Sequence, residues 1–132
     1  MKERLKKIDR LIKVQRHLHR SAEIRLANLQ RREDELKAAQ EDLLRTMGDA
    51  DVLHGLFVDV IAKRMRMLAL EETKTHAAII DQKAVATEKA LQVKRGEKLF
   101  SRLEEEVRRD QEKTDLIAVL EAMIGRTSTS LP

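Results

Sequence analysis

The chain predicts an all-α fold, a long antiparallel two-helix coiled-coil hairpin, and three observations carry that prediction. An apolar stripe recurs in alternating steps of three and four residues along nearly the whole chain. It is interrupted once, between Gly48 and Gly55. The composition is that of long helices: 38% of the 132 residues are charged and 2% aromatic, Trp, Tyr and Cys are absent, and the single Pro is the last residue. An α/β domain would need Gly- and Pro-rich turns and β-branched runs, and both are missing.

The first element is a helix over about residues 2–47. Its stripe visits Met1, Leu5, Ile8, Ile12, Gln15, His19, Ala22, Leu26, Leu29, Glu33, Leu36, Gln40, Leu43 and Met47, with mostly charged residues between. No Gly or Pro precedes Gly48, so nothing breaks the helix earlier. At about 1.5 Å per residue it is about 65–70 Å long.

A turn over about 48–55 follows. Gly48 suits a left-handed C-cap, and Asp49 or Asp51 suits the next N-cap. The second helix then starts at Asp51 or only near Leu56, and runs over about 56–124. Its clearest stripe visits Val58, Ile61, Met65, Leu68, Ile79, Ala86, Val93, Phe100, Leu103, Val107, Ile117 and Ile124, with polar interruptions at Glu72, Thr75, Gln82, Lys89, Asp110, Thr114 and Glu121. Gly96 falls inside the stripe, costs about 1 kcal/mol against Ala, and marks either a bend or a close backbone approach. Gly125 reads as the stop signal, so the single domain covers 1–125 and residues 126–132 form a disordered tail.

A short turn makes the two helices antiparallel neighbours, and the second is longer by about 25 residues. Its end, about Leu99 to Ile124, is expected to project past the start of the first helix. Phe100, Leu103, Val107, Leu116, Ile117, Leu120 and Ile124 would then lack an intrachain partner. They must meet another protein or another copy, or fray.

Composition narrows function. Without Cys there is no disulfide framework and no thiolate metal site. No run of about 18 apolar residues exists to span a membrane. The basic N-terminus lacks the apolar core of a signal peptide, and its stripe continues too far for an organelle presequence. The net charge is +4, and the excess lies at the start, where Lys2, Arg4, Lys6, Lys7, Arg10, Lys13, Arg16 and Arg20 face only Glu3 and Asp9. That end favours an acidic partner surface, or is simply a solvated face.

Catalytic and metal patterns are missing. His17 and His19 are two apart, which points them to different sides of a helix, and His54 and His76 have no carboxylate at metal-site spacing. Glu104, Glu105 and Glu106 read as solvated face, and a two-helix rod offers no pocket to raise a carboxylate pKa. No phosphate-binding glycine loop occurs. The expectation is no enzyme, no cofactor and no metal. For nucleic acid, the heptads begin inside the basic segment at Leu5, Ile8 and Ile12, and no aromatics are placed to stack bases. Only nonspecific backbone attraction remains. Met65, Met67 and Met123 read as seam fillers or adaptable contacts.

The layout from about Leu5 to Ile124 resembles FliJ, the flagellar export stalk component, and its YscO-like counterparts in type III secretion. The features that carry the resemblance are the heptad helix around Arg10-Leu-Ile-Lys-Val-Gln-Arg-His-Leu18, the turn at Met47-Gly48-Asp49, the apolar start Leu56-Phe57-Val58-Asp59-Val60-Ile61, and the charged stretch from Glu97 to Asp115 with its Leu-x-x-x-Leu start at Leu99 and Leu103. The chain departs from the family in lacking the tyrosines that some members carry late in the first helix.

The resemblance implies a cytoplasmic coiled coil, peripheral at the membrane through the export apparatus. Its paired terminal ends would insert in a hexameric export ATPase, and its turn-proximal region would contact the membrane-embedded export gate. Free export chaperones would be further partners. Carried onto this sequence, the ATPase contacts are Arg4, Leu5, Ile8, Arg10, Leu99, Leu103, Arg108 and Arg109, and the gate contacts are Phe57 and Ile61. A flagellar and a virulence secretion system fit equally. The alternatives are a self-associating coiled-coil scaffold and a nonspecific nucleic-acid-binding helical protein.

Overall fold

The computed structural model describes residues 2–48 and 55–129, with side chains from 57 to 126 in the second stretch. It is all-α. Helix α1 runs over Lys2–Gly48 and helix α2 over Gly55–Thr129, with no strand among the described residues. Asp49 and Asp51, the expected capping residues, lie outside them.

Local chemistry explains the uninterrupted α1. Glu3 sits in its first turn and Arg45 in its last, each opposing the helix dipole. Asp9–Lys13 and Glu33–Lys37 are ion pairs one turn apart with the acid on the N-terminal side, the favourable order. In α2, Thr73 donates to the carbonyl of Ala69, and Thr114, one of the polar interruptions of the stripe, to that of Asp110.

Neither expected glycine stop takes a left-handed conformation, since no described glycine has positive φ. Gly48 is the last helical residue of α1, and α2 passes through Gly125 to Thr129. Helical φ and ψ are open to glycine at a modest entropic cost, so a glycine permits a C-cap without imposing one.

The chain divides into two compact units, Met1–Arg16 with Leu91–Pro132 (unit 1) and His17–Ala90 (unit 2). Both helices contribute to each. In unit 2, Arg32 bonds Glu71 at 2.9 Å, His76 meets Glu33 at 3.1 Å, and Gln82 donates to the carbonyl of Ala22 at 3.0 Å. Lower α1 numbers pair with higher α2 numbers, so the segments are antiparallel. Ala22, Leu36, Ile61, Leu68, Ile79 and Ala86 are buried there, and Leu36, 2% exposed, is the most enclosed side chain.

Unit 1 is antiparallel by the same reasoning. Arg16 donates to Glu97 at 3.0 Å, and Ile8, Ile12 and Leu103 form a buried cluster with Leu5 and Phe100 against it. A methyl group added at Gly96 would lie 2.8 Å from Gln15 Oε1 and 3.0 Å from Ile12 Cγ1. Gly96 is therefore the close backbone approach, the second of its two sequence readings.

The register corrects where the uncovered part of α2 begins. Phe100 and Leu103 pack on Leu5, Ile8 and Ile12, and Val107 is half-buried. They are not part of an unpartnered overhang. Pairing Ile8 with Leu103 instead of a residue near 95 moves the covered stretch toward the C-terminus, and the uncovered arm starts at Arg108.

Candidate functional site

From Arg108 to Arg126 every side chain of α2 is exposed. The segment holds itself together as a helix. Arg109 bonds Glu105 at 3.0 Å, Gln111 bonds Asp115 at 3.1 Å and Thr114 donates to the carbonyl of Asp110, so several of its polar groups are met along the helix. Its apolar groups are not buried: Leu116, Ile117, Val119, Leu120, Met123 and Ile124 are all exposed. Six such residues within nine positions form a contiguous apolar patch, the kind that marks an interaction site on a water-exposed protein.

The ATPase-contact residues of the sequence divide in two. Leu5, Ile8 and Leu103 are consumed by the unit 1 core. Arg4, Arg10 and Leu99 face outward. Arg108 and Arg109 are exposed and share Glu105 as acceptor, at 3.7 and 3.0 Å, and Arg108 also reaches Glu112 at 3.9 Å. Such solvent-exposed pairs are worth about 0–1 kcal/mol, so both guanidinium groups are cheaply transferred to an external acid.

The gate-contact pair divides as well. Phe57 is 56% exposed, whereas Ile61 is buried in the seam of unit 2. Val58 and Val60 are exposed beside Phe57, and Leu44 and Met47 are exposed late in α1. Among the described residues, Leu44, Met47, Phe57, Val58 and Val60 are outward apolar residues near that end, with Ile61 buried behind them.

Comparison with protein-family models gives no match, and comparisons with curated proteins and with solved structures give none either.

Polar residues inside the seam are handled differently in the two units. In unit 2, Gln82 is tied to the Ala22 carbonyl, and the Glu33 carboxylate takes His76 across the seam and Lys37 along its own helix. The hydrogen bond from His76 holds the Glu33 carboxyl below the usual carboxylate range, assisted by Lys37 and partly opposed by desolvation. In unit 1, Gln15 Oε1 is buried over Gly96 with no hydrogen-bond partner. Sequence periodicity marks these positions as polar interruptions; it does not reveal the cross-helix partners, because His76 lies off the stripe and the Ala22 acceptor is backbone.

Among the described residues no group of three His, Asp or Glu could hold a metal ion, and no helix is long and apolar enough to cross a membrane. The concave surfaces are shallow grooves, such as the one lined by Glu3, Lys6, Lys7 and Arg10 along one helix. His17 is exposed and His19 pairs with Glu23 one turn on; His54 lies outside the described residues.

Proposed function

We propose that this chain is a stalk or adaptor of a flagellar or type III protein-export ATPase complex. It is an antiparallel two-helix coiled-coil hairpin that works in the cytoplasm, at the membrane face of the export apparatus, with no chemistry of its own. The observation that carries the reading is the exposed end of α2. A helix whose large apolar groups stay open over nine consecutive positions is built to be covered by something else.

The resemblance to the FliJ and YscO-like families supplies the partner. The ring is met by unit 1, through Arg4, Arg10, Leu99, Arg108 and Arg109, with Leu5, Ile8 and Leu103 holding the two segments together behind them. The arginines exchange Glu105 for acidic groups lining the ring. The export gate is met by Phe57, with Ile61 as its support, and export chaperones are bound in exchange. The chain thereby bridges ring and gate and stimulates ring assembly or turnover.

The test is capture of the hexameric export ATPase of the same organism by the full chain. Tight, salt-sensitive binding is expected, and R108E/R109E is expected to weaken it about tenfold or more, through two lost charge-assisted contacts and two repulsive ones. Unchanged binding by that variant, with helicity intact, removes the assignment of the arginines. No binding by the wild-type chain removes the reading.

A further inference from the structure

The heptad places Leu5 and Ile12 at position a and Ile8 at d in α1, and Val93 and Phe100 at a and Leu103 at d in α2. Arg16 and Glu97 are then both at e, and their 3.0 Å bond marks one side of unit 1. In an antiparallel pair the two g positions share the opposite side. Leu11 and Leu99 are at g and Val14 at c, and all three are exposed. Arg4 and Lys7 continue the same strip of α1 at g and c.

The apolar face of the arm is turned to that side too. At about 100° per residue, Leu116, Ile117, Val119, Leu120, Met123 and Ile124 cover an arc of about 160°. Its centre is rotated by about 100° from the a and d line through Thr114, Ile117, Glu121 and Ile124, toward Leu116 at c and Leu120 at g. An arc that wide is too broad for one facing helix and fits the groove between two. Unit 1 offers such a groove on its g side, with Leu11 and Val14 on one wall and Leu99 on the other.

Charge and length agree. The whole arm, residues 108–126, is balanced, with Arg108, Arg109, Lys113 and Arg126 against Asp110, Glu112, Asp115 and Glu121; past the two arginines at its start, the stretch 110–126 that bears the apolar patch has a net charge of −2. Residues 2–16 carry seven Lys and Arg against Glu3 and Asp9, a net of +5. The two stretches are about 25 and about 22 Å long as helices.

We infer that this chain forms a two-fold dimer in which the α2 arm of each copy lies antiparallel in the g-side groove of unit 1 of the second copy. The contact is reciprocal and closed, so it ends at two chains and does not build a filament. It uses the same open arm and the same Leu99 that the export reading assigns to the ring, so a second copy and the ring compete for that surface, and sedimentation of the chain alone reads the dimer without the ring.

Sedimentation equilibrium of the full chain tests it, with L116E/L120E as the variant. Both residues are exposed, so the variant keeps its helicity. The wild type is expected to be dimeric, and the variant to raise the dissociation constant at least about 30-fold, since each leucine is buried twice in the two-fold contact. The chain has no cysteine, so orientation is read from single-cysteine copies: a mixture of L11C and L120C chains is expected to cross-link between 11 and 120. A monomeric wild type, a dimer unaffected by L116E/L120E, or cross-linking of 120 to 120 with none to 11 overturns the proposal.

Discussion

Unit 2 and the arm of unit 1 are built from the same kinds of residue, and they solve the problem of apolar surface in opposite ways. In unit 2 each helix covers the other: Leu36 and Leu68 are almost fully buried, and the seam's polar interruptions Gln82 and Glu33 have partners. In the arm, Leu116, Leu120 and Ile124 are as apolar and remain open, while Gln111 and Thr114 bond within the helix. A seam that is satisfied internally supplies stiffness. A helix whose apolar groups stay open supplies a surface for a partner.

The largest expected difference comes from truncating one leucine in unit 2 and one in the arm. Leu36→Ala is expected to cost about 2–5 kcal/mol in denaturant unfolding, from lost burial and the cavity left in an enclosed site. Leu120→Ala should change the stability of the monomer by about 0.5 kcal/mol or less. Equal costs at the two positions would mean that the arm is packed.

Gly96 gives the next largest effect. A side chain there must displace Ile12, which is 3% exposed, and the Gln15 amide. Gly96→Leu is expected to destabilise unit 1 by about 1–3 kcal/mol despite the better helix former, because overpacking outweighs propensity. A gain in stability would show that the close approach is not maintained in solution.

The smallest effect tests the polar seam of unit 2. A carboxyl held below its usual range adds stability that is fully present at neutral pH and is lost as pH falls through the folded-state value. Glu33→Gln should therefore lower the urea midpoint near pH 7, and the gap from wild type should close as pH falls through the lowered carboxyl value. A gap that persists in acid would assign the role of Glu33 to packing alone.

Much of the fold is legible from one stripe. Every seam position from Leu5 to Leu43 is buried or half-buried, and so is every one from Ile61 to Val107. A period of 3.5 residues reports a packed face directly, and neither Gly nor Pro interrupts α1. The site was less legible. The stripe continues through Thr114, Ile117, Glu121 and Ile124 although nothing covers them, because periodicity records which side is apolar and not whether a second helix reaches it. The register that decides this depends on how the chain crosses between the helices, which no residue pattern states. Ile61 reads as a contact residue in sequence for the same reason that it is buried: it is apolar and on the seam. Leu11 and Val14 stand at g and c, where single apolar residues look scattered until the Arg16–Glu97 bond identifies the other side; Leu99 is marked in the sequence as a contact residue, but its shared strip with them is not.

The proposed action of this chain is on an export ATPase ring, through the end that carries the open arm. Its most direct test is ATP turnover by the purified hexameric export ATPase of the same organism, titrated with the full chain. The expected result is a saturable rise in turnover that R108E/R109E largely removes. Turnover unchanged at saturating chain would contradict the account.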